Sequence, residues 1–565
     1  MASVGALGPD GRTRALEALR THTLDVLVIG GGVVGTGAAL DAVTRGLSTG
    51  IVEARDWASG TSSRSSKLVH GGIRYLEQLD FGLVREALIE RGLLLQRIAP
   101  HLVKPVKFLY PVTVPVAERA YIGAGMALYD LFSWTGGSAP GVPHHRHLSK
   151  RQLAKAAPDL APDAFRGGLV YYDAQVDDAR LVVSLARTAA EYGAHAASRV
   201  RVEGLLREGA RVVGVTALDR ETGETFEIRA RQVISATGVW TDDVQGLANV
   251  RPFRVRASKG VHLVVPRDRI RGTLGLLLRT EKSVLFLIPW GRHWLIGTTD
   301  TDWHLDLAHP AATAADIDYI LGHINRVLAT PLTRDDVEGV YAGLRPLLAG
   351  ESDETSKLSR EHIVASPVPG LTVVAGGKLT TYRIMARDAV DQAARGLDRP
   401  TPASVTEKIG LTGAEGYPAA WNRRGRIARR HRLSPGAVAH LLNRYGTHAR
   451  EVLALIDERP ELGELLPGSE DYLAAEVVYA AGHEGALHLD DVLSRRTRMS
   501  IEAWDRGVSA APVAAQLMAD VLGWDAERTA RETELYLERV AAERASQLEP
   551  DDASADRVRL AAREV

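Results

Sequence analysis

The chain contains no cysteine among its 565 residues. That absence excludes disulfides, thiolate metal sites, iron–sulfur clusters and a cysteine-linked cofactor, and it fits a reducing compartment. An excess of one charge is also missing: 69 Lys and Arg against 70 Asp and Glu leave a formal net charge of −1. No global field therefore draws the protein toward nucleic acid or an anionic membrane, so nucleic acid is not an expected partner. The opening segment, "MASVGALGPDGRTRALEALRTH", has no apolar h-region and does not read as a secretory signal. The longest uncharged apolar stretch, between Asp25 and Asp41, holds five glycines and is too short to span a bilayer. Membrane contact, if any, is expected to be peripheral. The sequence also shows no internal repeat and no EF-hand loop.

What is present is a soluble globular composition, 45% hydrophobic and 25% charged, in a chain long enough for two or more domains. Regular structure is predicted to begin at "LDVLVIGGG", a continuous apolar run that ends in glycines and reads as a strand buried on both faces. "VVGTGAALDAVTRGL" carries small residues at helical spacing, and "STGIVEA" reads as a second buried strand. Strand, glycine turn, helix and strand make a βαβ unit. Gly30, Gly32 and Gly35 match G-x-G-x-x-G at the strand-to-helix turn, where free N–H groups and the helix dipole favour a pyrophosphate. Glu53, at the end of the second strand, is placed to accept ribose hydroxyls and disfavours a 2′-phosphate. These features predict a dinucleotide site and leave FAD and NAD open.

The stretch "GTSSRSSKLVHGGIRYLE", Gly60 to Glu77, favours the larger cofactor. Its short hydroxyls and glycines bring backbone donors close to a ligand without bulk. "VISATGVW" ends a further strand at Gly238, and "VVAGGKLTTYRIM" forms a late strand, glycine turn and helix at Gly376 and Gly377. A helix starting there would point its positive end at an isoalloxazine ring. Later strands such as "RVVGVTALD", "VHLVVP" and "VLFLIPW" alternate apolar and polar residues, as an antiparallel sheet does. From about Ser434 strand runs give way to amphipathic helical periodicity, as in "SPGAVAHLLNRYG". The expected organisation is an N-terminal extension at 1–22, an oxidoreductase core at 23–400, a helical domain at 401–546, and a mobile charged tail at 547–565.

"VIGGGVVGTGAALDAVTRGL", "SGTSSRSSKLVHGGIRYLE", "VDDARLV", "SATGVWTDD", "SKGVHLVVP", "IPWGRHWLIGTTDTD", "AGLRPLL" and "GGKLTTYRIMARDAV" occur in this order over residues 24–395. Together they closely resemble the FAD-dependent, respiratory sn-glycerol-3-phosphate dehydrogenases, and "EVVYAAGHEGALHLDDVLSRRTRMS" resembles that family's C-terminal domain. The resemblance implies an α/β fold like that of the glycine and D-amino-acid oxidases. In it a Rossmann-like FAD-binding domain is interleaved with an antiparallel β-sheet substrate domain, and an all-helical C-terminal domain follows. It also implies noncovalent FAD, glycerol 3-phosphate as substrate, and a membrane quinone as electron acceptor. The expected location is cytoplasmic, at the inner face of the cell membrane, and a homodimer is compatible with the family. The calcium-binding EF-hands of animal mitochondrial relatives are absent from the sequence.

A small phosphate monoester with a secondary alcohol needs fixed cations, a proton acceptor and a hydride acceptor. By resemblance, Arg74, Tyr75, Arg345, Arg360, Lys378 and Thr380 contact the substrate. His262 is the candidate base, since a neutral imidazole takes a proton at physiological pH whereas arginine stays charged. Arg345 would hold the C2 oxygen and stabilise developing alkoxide. The cofactor is assigned to Gly30, Gly32, Gly35, Glu53, Thr61, Ser62, Ser63, Ser66, Lys67, His70, Gly71, Gly72 and Gly238, with Gly376, Gly377, Lys378, Leu379 and Thr380 at the late turn. His70 is expected to hydrogen-bond and not to anchor the flavin covalently. "HHRH", His144 to His147, could bind metal but sits in a Pro- and Gly-bounded loop with no distant partner visible. The histidines of "HEGALH", His483 to His488, are five apart instead of four, and no metal site is expected. The rival readings are an oxidase of the same substrate that releases peroxide, an amino-acid oxidase of the same fold, and a nonenzymatic nucleotide-binding protein.

Overall fold

The computed structural model describes residues 5–73, 80–114, 116–135, 141–281, 284–349 and 362–564. "LDVLVI" forms the strand Leu24–Ile29, buried along its whole length, as a strand covered on both sheet faces must be. Helix Val33–Thr44 packs close because its contact face is built of small residues. A Cβ on Gly37 would come within 3.0 Å of the Tyr382 ring on the neighbouring helix. Strand Thr49–Glu53 follows in parallel and completes the βαβ unit.

This sheet runs from His362–Val368 through Leu371–Gly376, Thr225–Ser235, Leu24–Ile29 and Thr49–Glu53 to His195–Ser198. Its neighbours pair in parallel except at the edge, where His362–Val368 meets Leu371–Gly376 antiparallel. The hairpin Val200–Glu208/Arg211–Asp219 extends the first half of Thr225–Ser235.

The second sheet is mostly antiparallel, with Val255–Pro266 paired to His293–Gly297, to Thr301–Trp303 and to the edge strand Gly339–Leu348. Gly275–Arg279 beside Lys104–Val112 is a parallel exception. The polar-and-apolar alternation read in "VHLVVP" does not mean a solvated face. Val261, Leu263 and Val265 pack on Ile317 and Ile320 of helix Ala314–Asn325, while His262, on the opposite face, is also buried. That second face is covered by the polar segment at 60–72, so the polar positions serve a site and not water.

Helices make up the regular elements described from Tyr417 onward, and they share one apolar core. Buried ion pairs fasten them to the first sheet's domain: Arg180–Glu484 at 2.5 Å, Arg496–Asp56 at 2.7 Å and Arg498–Asp177 at 2.5 Å. Removing one member of such a pair leaves a buried charge unpaired and costs about 3–5 kcal/mol.

Both chain ends pack on the body of the protein, and for the C-terminal end this differs from expectation. The 1–22 extension carries helix Pro9–Thr21, with Leu19 fully buried and Arg12 paired to Asp219 at 2.6 Å. The 547–565 segment, expected to be mobile, forms helix Asp552–Leu560, capped by the Asp551 side chain. Asp552 pairs with the buried Lys259 ammonium, which also meets Asp316 at 2.6 Å, and Ala555 is buried. Composition alone suggested disorder because the tail's charges find their partners hundreds of residues away.

Candidate active site

Three motifs distant in sequence end on adjacent parallel strands. Leu24–Ile29 leads into Gly30, Thr225–Ser235 into Gly238, and Leu371–Gly376 into Gly377. Their carboxyl ends open on one cleft of about 490 Å³, within the size range of cofactor sites and where open α/β sheets bind nucleotides. Gly30 has φ +112°, and a Cβ on Gly35 would lie 1.9 Å from the Gly30 carbonyl oxygen. The turn therefore closes only with glycine at both positions. Helix Val33–Thr44 begins without a cap from its own N-cap residue, and Ser62 Oγ accepts the Val33 N–H at 3.0 Å instead.

Glu53 lines the cleft and accepts N–H bonds from Gly31 at 2.6 Å and Arg55 at 2.8 Å. Burial pushes its carboxyl pKa up, while those two donors oppose the shift. A carboxylate has about four acceptor sites, so two remain for ribose hydroxyls. At the late turn Gly376 and Gly377 adopt φ +79° and +78°, and a Cβ on Gly377 would meet Met385 Sδ at 2.3 Å. Lys378 and Leu379 line the same cleft. Two glycine cradles, an acid for a ribose and a helix N-terminus at the cleft fit FAD.

The polar segment is the seam between the two sheets, and its residues divide by role. Thr61, Ser62 and Ser65 line the cleft, and Thr61 Oγ1 donates to the Leu344 carbonyl at 2.7 Å. Ser63 instead borders a separate small pocket. Lys67 corrects its cofactor assignment: its ammonium is fully buried, 2.8 Å from Asp178 Oδ1 and 3.2 Å from the Ser63 carbonyl. A buried charge needs an opposite charge more than it needs a ligand, and Asp178 supplies it. Gly71 N–H donates to the Tyr129 hydroxyl at 2.9 Å, also inside the protein, and Gly72 turns the chain at φ +72°. Thr380 is buried and grips the His70 backbone, accepting its N–H at 3.0 Å and donating to its carbonyl at 3.2 Å. That clasp joins the seam to the late glycine turn.

Across the seam lies the face of the second sheet that carries His262 and Arg345. In register, Ser258 opposes Arg345, Gly260 opposes Gly343, and His262 opposes Tyr341, so all six residues share this face. His262 Nε2 is 2.8 Å from Ser66 Oγ, and its ring stacks on Tyr341 with centroids 4.8 Å apart at 7°. Gly297 makes room for the ring, since a Cβ there would approach His262 Cδ2 to 2.4 Å. Burial lowers the His262 pKa well below its ordinary value, and the positive charges of Arg345 and Lys67 lower it further. The imidazole is therefore held neutral. Arg345 is clamped by Thr298 Oγ1 at 2.9 Å, the Thr299 carbonyl at 3.1 Å and Ser258 Oγ at 3.4 Å, and Gly260 is the gap that admits its guanidinium.

Arg74, Tyr75 and Arg360 lie outside the described residues. Tyr341, Ser258, Thr298 and Thr299 were not singled out in the sequence. Strand alternation through "VYAGLRPL" does place Tyr341 on the face of Arg345, so that signal was present; the threonines carry none. His145 Nδ1 pairs with Asp130 at 2.7 Å, and His488 sits between Glu221 at 2.8 Å and Glu532 at 2.9 Å. No cluster of metal-ligating side chains occurs among the described residues.

Comparison with known proteins agrees with this architecture. The FAD dependent oxidoreductase family model matches residues 25–391, and the C-terminal domain of alpha-glycerophosphate oxidase matches 404–529. The chain is 56% identical to glycerol-3-phosphate dehydrogenase 2 of Mycobacterium tuberculosis, over 99% of this chain and 95% of that protein. It is 36% identical to the mitochondrial glycerol-3-phosphate dehydrogenase of Bos taurus, over 96% of this chain and 77% of the relative. Among solved structures, the glycerol-3-phosphate dehydrogenase from Bacillus halodurans complexed with FAD superposes with a TM-score of 0.76. It is 30% identical, and the match covers 94% of this chain and 98% of that one. Glycine oxidase from Geobacillus kaustophilus, 20% identical with a TM-score of 0.51, shares the fold over 69% of this chain and 99% of its own.

Proposed function

This chain belongs to the FAD-dependent glycerol-3-phosphate dehydrogenases, and on that footing we propose that it oxidises sn-glycerol 3-phosphate to dihydroxyacetone phosphate and delivers the electrons to a membrane quinone. The observation that carries the chemistry is the pairing of a neutral His262 with a clamped Arg345 on one sheet face, across the seam from the cofactor cleft. FAD, when bound, supplies a two-electron hydride acceptor. His262 Nε2 takes the proton of the C2 hydroxyl. Nε2 meets Ser66 Oγ at 2.8 Å, on the side open to the seam, whereas Nδ1 is sealed from solvent and has no hydrogen-bond partner among the described residues. Arg345 donates to the C2 oxygen as negative charge develops there, and its clamp spares the cost of orienting it at that moment. Lys378, with Arg74, Tyr75 and Arg360, is assigned to the phosphate, where several cations suit a dianion better than the single carboxylate of an amino acid.

Anaerobic mixing of the purified, FAD-loaded protein with glycerol 3-phosphate is expected to bleach the oxidised-flavin band. Equal bleaching by glycerol, or none with the phosphate ester, would sink the substrate assignment. The acceptor needs its own measurement, because the C-terminal match is to an oxidase family. Quinone reduction without stoichiometric peroxide in air is the expected outcome, and one peroxide per turnover would replace the quinone with oxygen.

No helix among the described residues is long and apolar enough to cross a membrane. Exposed apolar side chains do gather around helix Ala117–Thr135: Val114 and Val116 precede it, and Tyr121, Leu131 and Trp134 lie on it. They support peripheral docking on the membrane that holds the quinone. Leu131→Glu combined with Trp134→Glu is expected to lower co-sedimentation with phosphatidylglycerol-containing vesicles at least about tenfold, since each buried side chain is worth roughly 1.5–3 kcal/mol. Flavin reduction in solution should not change. Undiminished vesicle binding would move the docking surface elsewhere.

A further inference from the structure

A second pocket, of about 60 Å³, lies where the seam, the edge strand Gly339–Leu348 and the C-terminal helices meet. Five arginines converge on it from separate elements: Arg64 from the seam, and Arg495, Arg498, Arg539 and Arg559 from the helices. Their charges are unevenly balanced. Arg495 is committed to Asp56 and Asp491, and Arg498 to Asp177 and Asp178. Asp490 pairs with both Arg539 and Arg495, and Glu543 is shared by Arg539 and Arg559, at 2.9 and 3.1 Å. Arg64 forms no ion pair with any described carboxylate, and its guanidinium donates to the Ala308 carbonyl at 2.9 Å.

The neighbouring groups report the resulting positive potential. The Glu543 carboxyl is held down at about 2 against its burial, by Arg539 first and then Arg559. Burial, then the charges of Arg539, Arg559 and Arg495, pull Arg64 down to about 9. His309, on the pocket wall, is lowered to about 2 by burial and then by Arg559 and Arg64, and its buried Nδ1 has no hydrogen-bond partner among the described residues.

We propose that this pocket is an anion site separate from the substrate site, taking a free tetrahedral oxyanion of the phosphate class and so fastening the seam to the C-terminal helices. Guanidinium forks approaching from several directions suit an ion whose oxygens also point in several directions; a planar carboxylate presents only two. The volume matches a small oxyanion. None of His262, Arg345 or Lys378 borders it. It nevertheless touches the same framework: Arg64 lies between Ser62, which caps the cofactor helix, and Ser66, which meets His262, and Tyr341 both borders the pocket and stacks on His262.

Equilibrium dialysis of radiolabelled inorganic phosphate against the FAD-loaded protein tests this at constant ionic strength. The expected result is one phosphate per chain that excess glycerol 3-phosphate does not displace and that equimolar chloride does not compete away. Arg64→Ala and Arg559→Gln should each weaken that phosphate at least about tenfold, the loss of a charge-assisted hydrogen bond, while Arg64→Lys recovers part of it. In Lys378→Ala, where the substrate site is impaired, the nondisplaceable phosphate should persist. Displacement of all bound phosphate by glycerol 3-phosphate in the unmodified protein would overturn the proposal, as would equal competition by chloride. Full phosphate affinity in both Arg64→Ala and Arg559→Gln would do the same. None of these outcomes bears on whether the flavin is reduced by the substrate, so the site and the proposed activity fail independently.

Discussion

Arg345→Ala is expected to leave the protein yellow and yet slow flavin reduction by glycerol 3-phosphate by about 10²–10³-fold, the cost of removing one preorganised donor from a developing oxyanion. His262→Asn should cost about 10²–10⁴-fold, the range for a positioned general base. Stopped-flow reduction under anaerobic conditions measures both. The two residues are coupled by charge, and this gives a second readout. His262 is held neutral by burial first and then by the positive Arg345 and Lys67. In the intact protein its protonation, and the acid limb it would cause, therefore lie well below its ordinary pKa of about 6.5. Removing the Arg345 charge lets the His262 pKa climb, so in Arg345→Ala that limb should move toward neutral pH. A limb that stayed in place would show that Arg345 does not face the imidazole.

The same shift makes a statement about stability. Because the folded pKa is depressed, the unfolded chain binds a proton that the folded chain refuses once the pH falls below about 6.5. His262 thus contributes stability that is fully present above that pH and lost as the pH falls toward its folded pKa. Flavin loss is a different defect, and an Arg345→Ala protein that purified colourless would place Arg345 in the scaffold.

Gly35→Val is expected to yield a protein without flavin. Its Cβ would stand 1.9 Å from the Gly30 carbonyl oxygen, a backbone atom that cannot swing aside. The turn must open, and with it the helix start that faces the cleft. If that variant is too damaged to purify, Glu53→Gln tests the same site more gently. It exchanges a buried carboxylate for an amide at the position that accepts the Gly31 and Arg55 N–H groups. Loss of a charged hydrogen bond is worth about 1.5–3 kcal/mol, so FAD dissociation should strengthen roughly tenfold to a hundredfold. Fluorescence of released flavin on dilution measures it. Wild-type FAD affinity in both variants would remove the first glycine turn from the cofactor site.

Much of this was legible in the chain. "VIGGGVVG" followed by Glu53 declares a nucleotide turn because its features are local: a strand, a close approach and an acid one strand away. The resemblance marked His262 in "VHLVV" and Arg345 in "AGLRPL", and the antiparallel register of the folded sheet sets them on one face. Other residues changed meaning. Lys67 sits amid cofactor-lining residues in sequence, but its ammonium is claimed by Asp178, a residue 111 positions away. The charged tail reads as disordered until Lys259 and Asp316 appear beside Asp552.

The sequence by itself determined the strand-and-glycine turns, the acid at Glu53, the family to which they belong and the pair of residues proposed for the chemistry. The turns and Glu53 are written in spacing over a few residues, which the backbone's own geometry converts into local structure, whereas the family and the pair His262 and Arg345 rest on the resemblance of eight segments spread over residues 24–395. Only the tertiary structure decided which charges are spent on holding the protein together and which remain for a ligand. An ion pair depends on where two side chains meet in space, and neither Lys67 with Asp178 nor Arg64 with its helical neighbours is close along the chain.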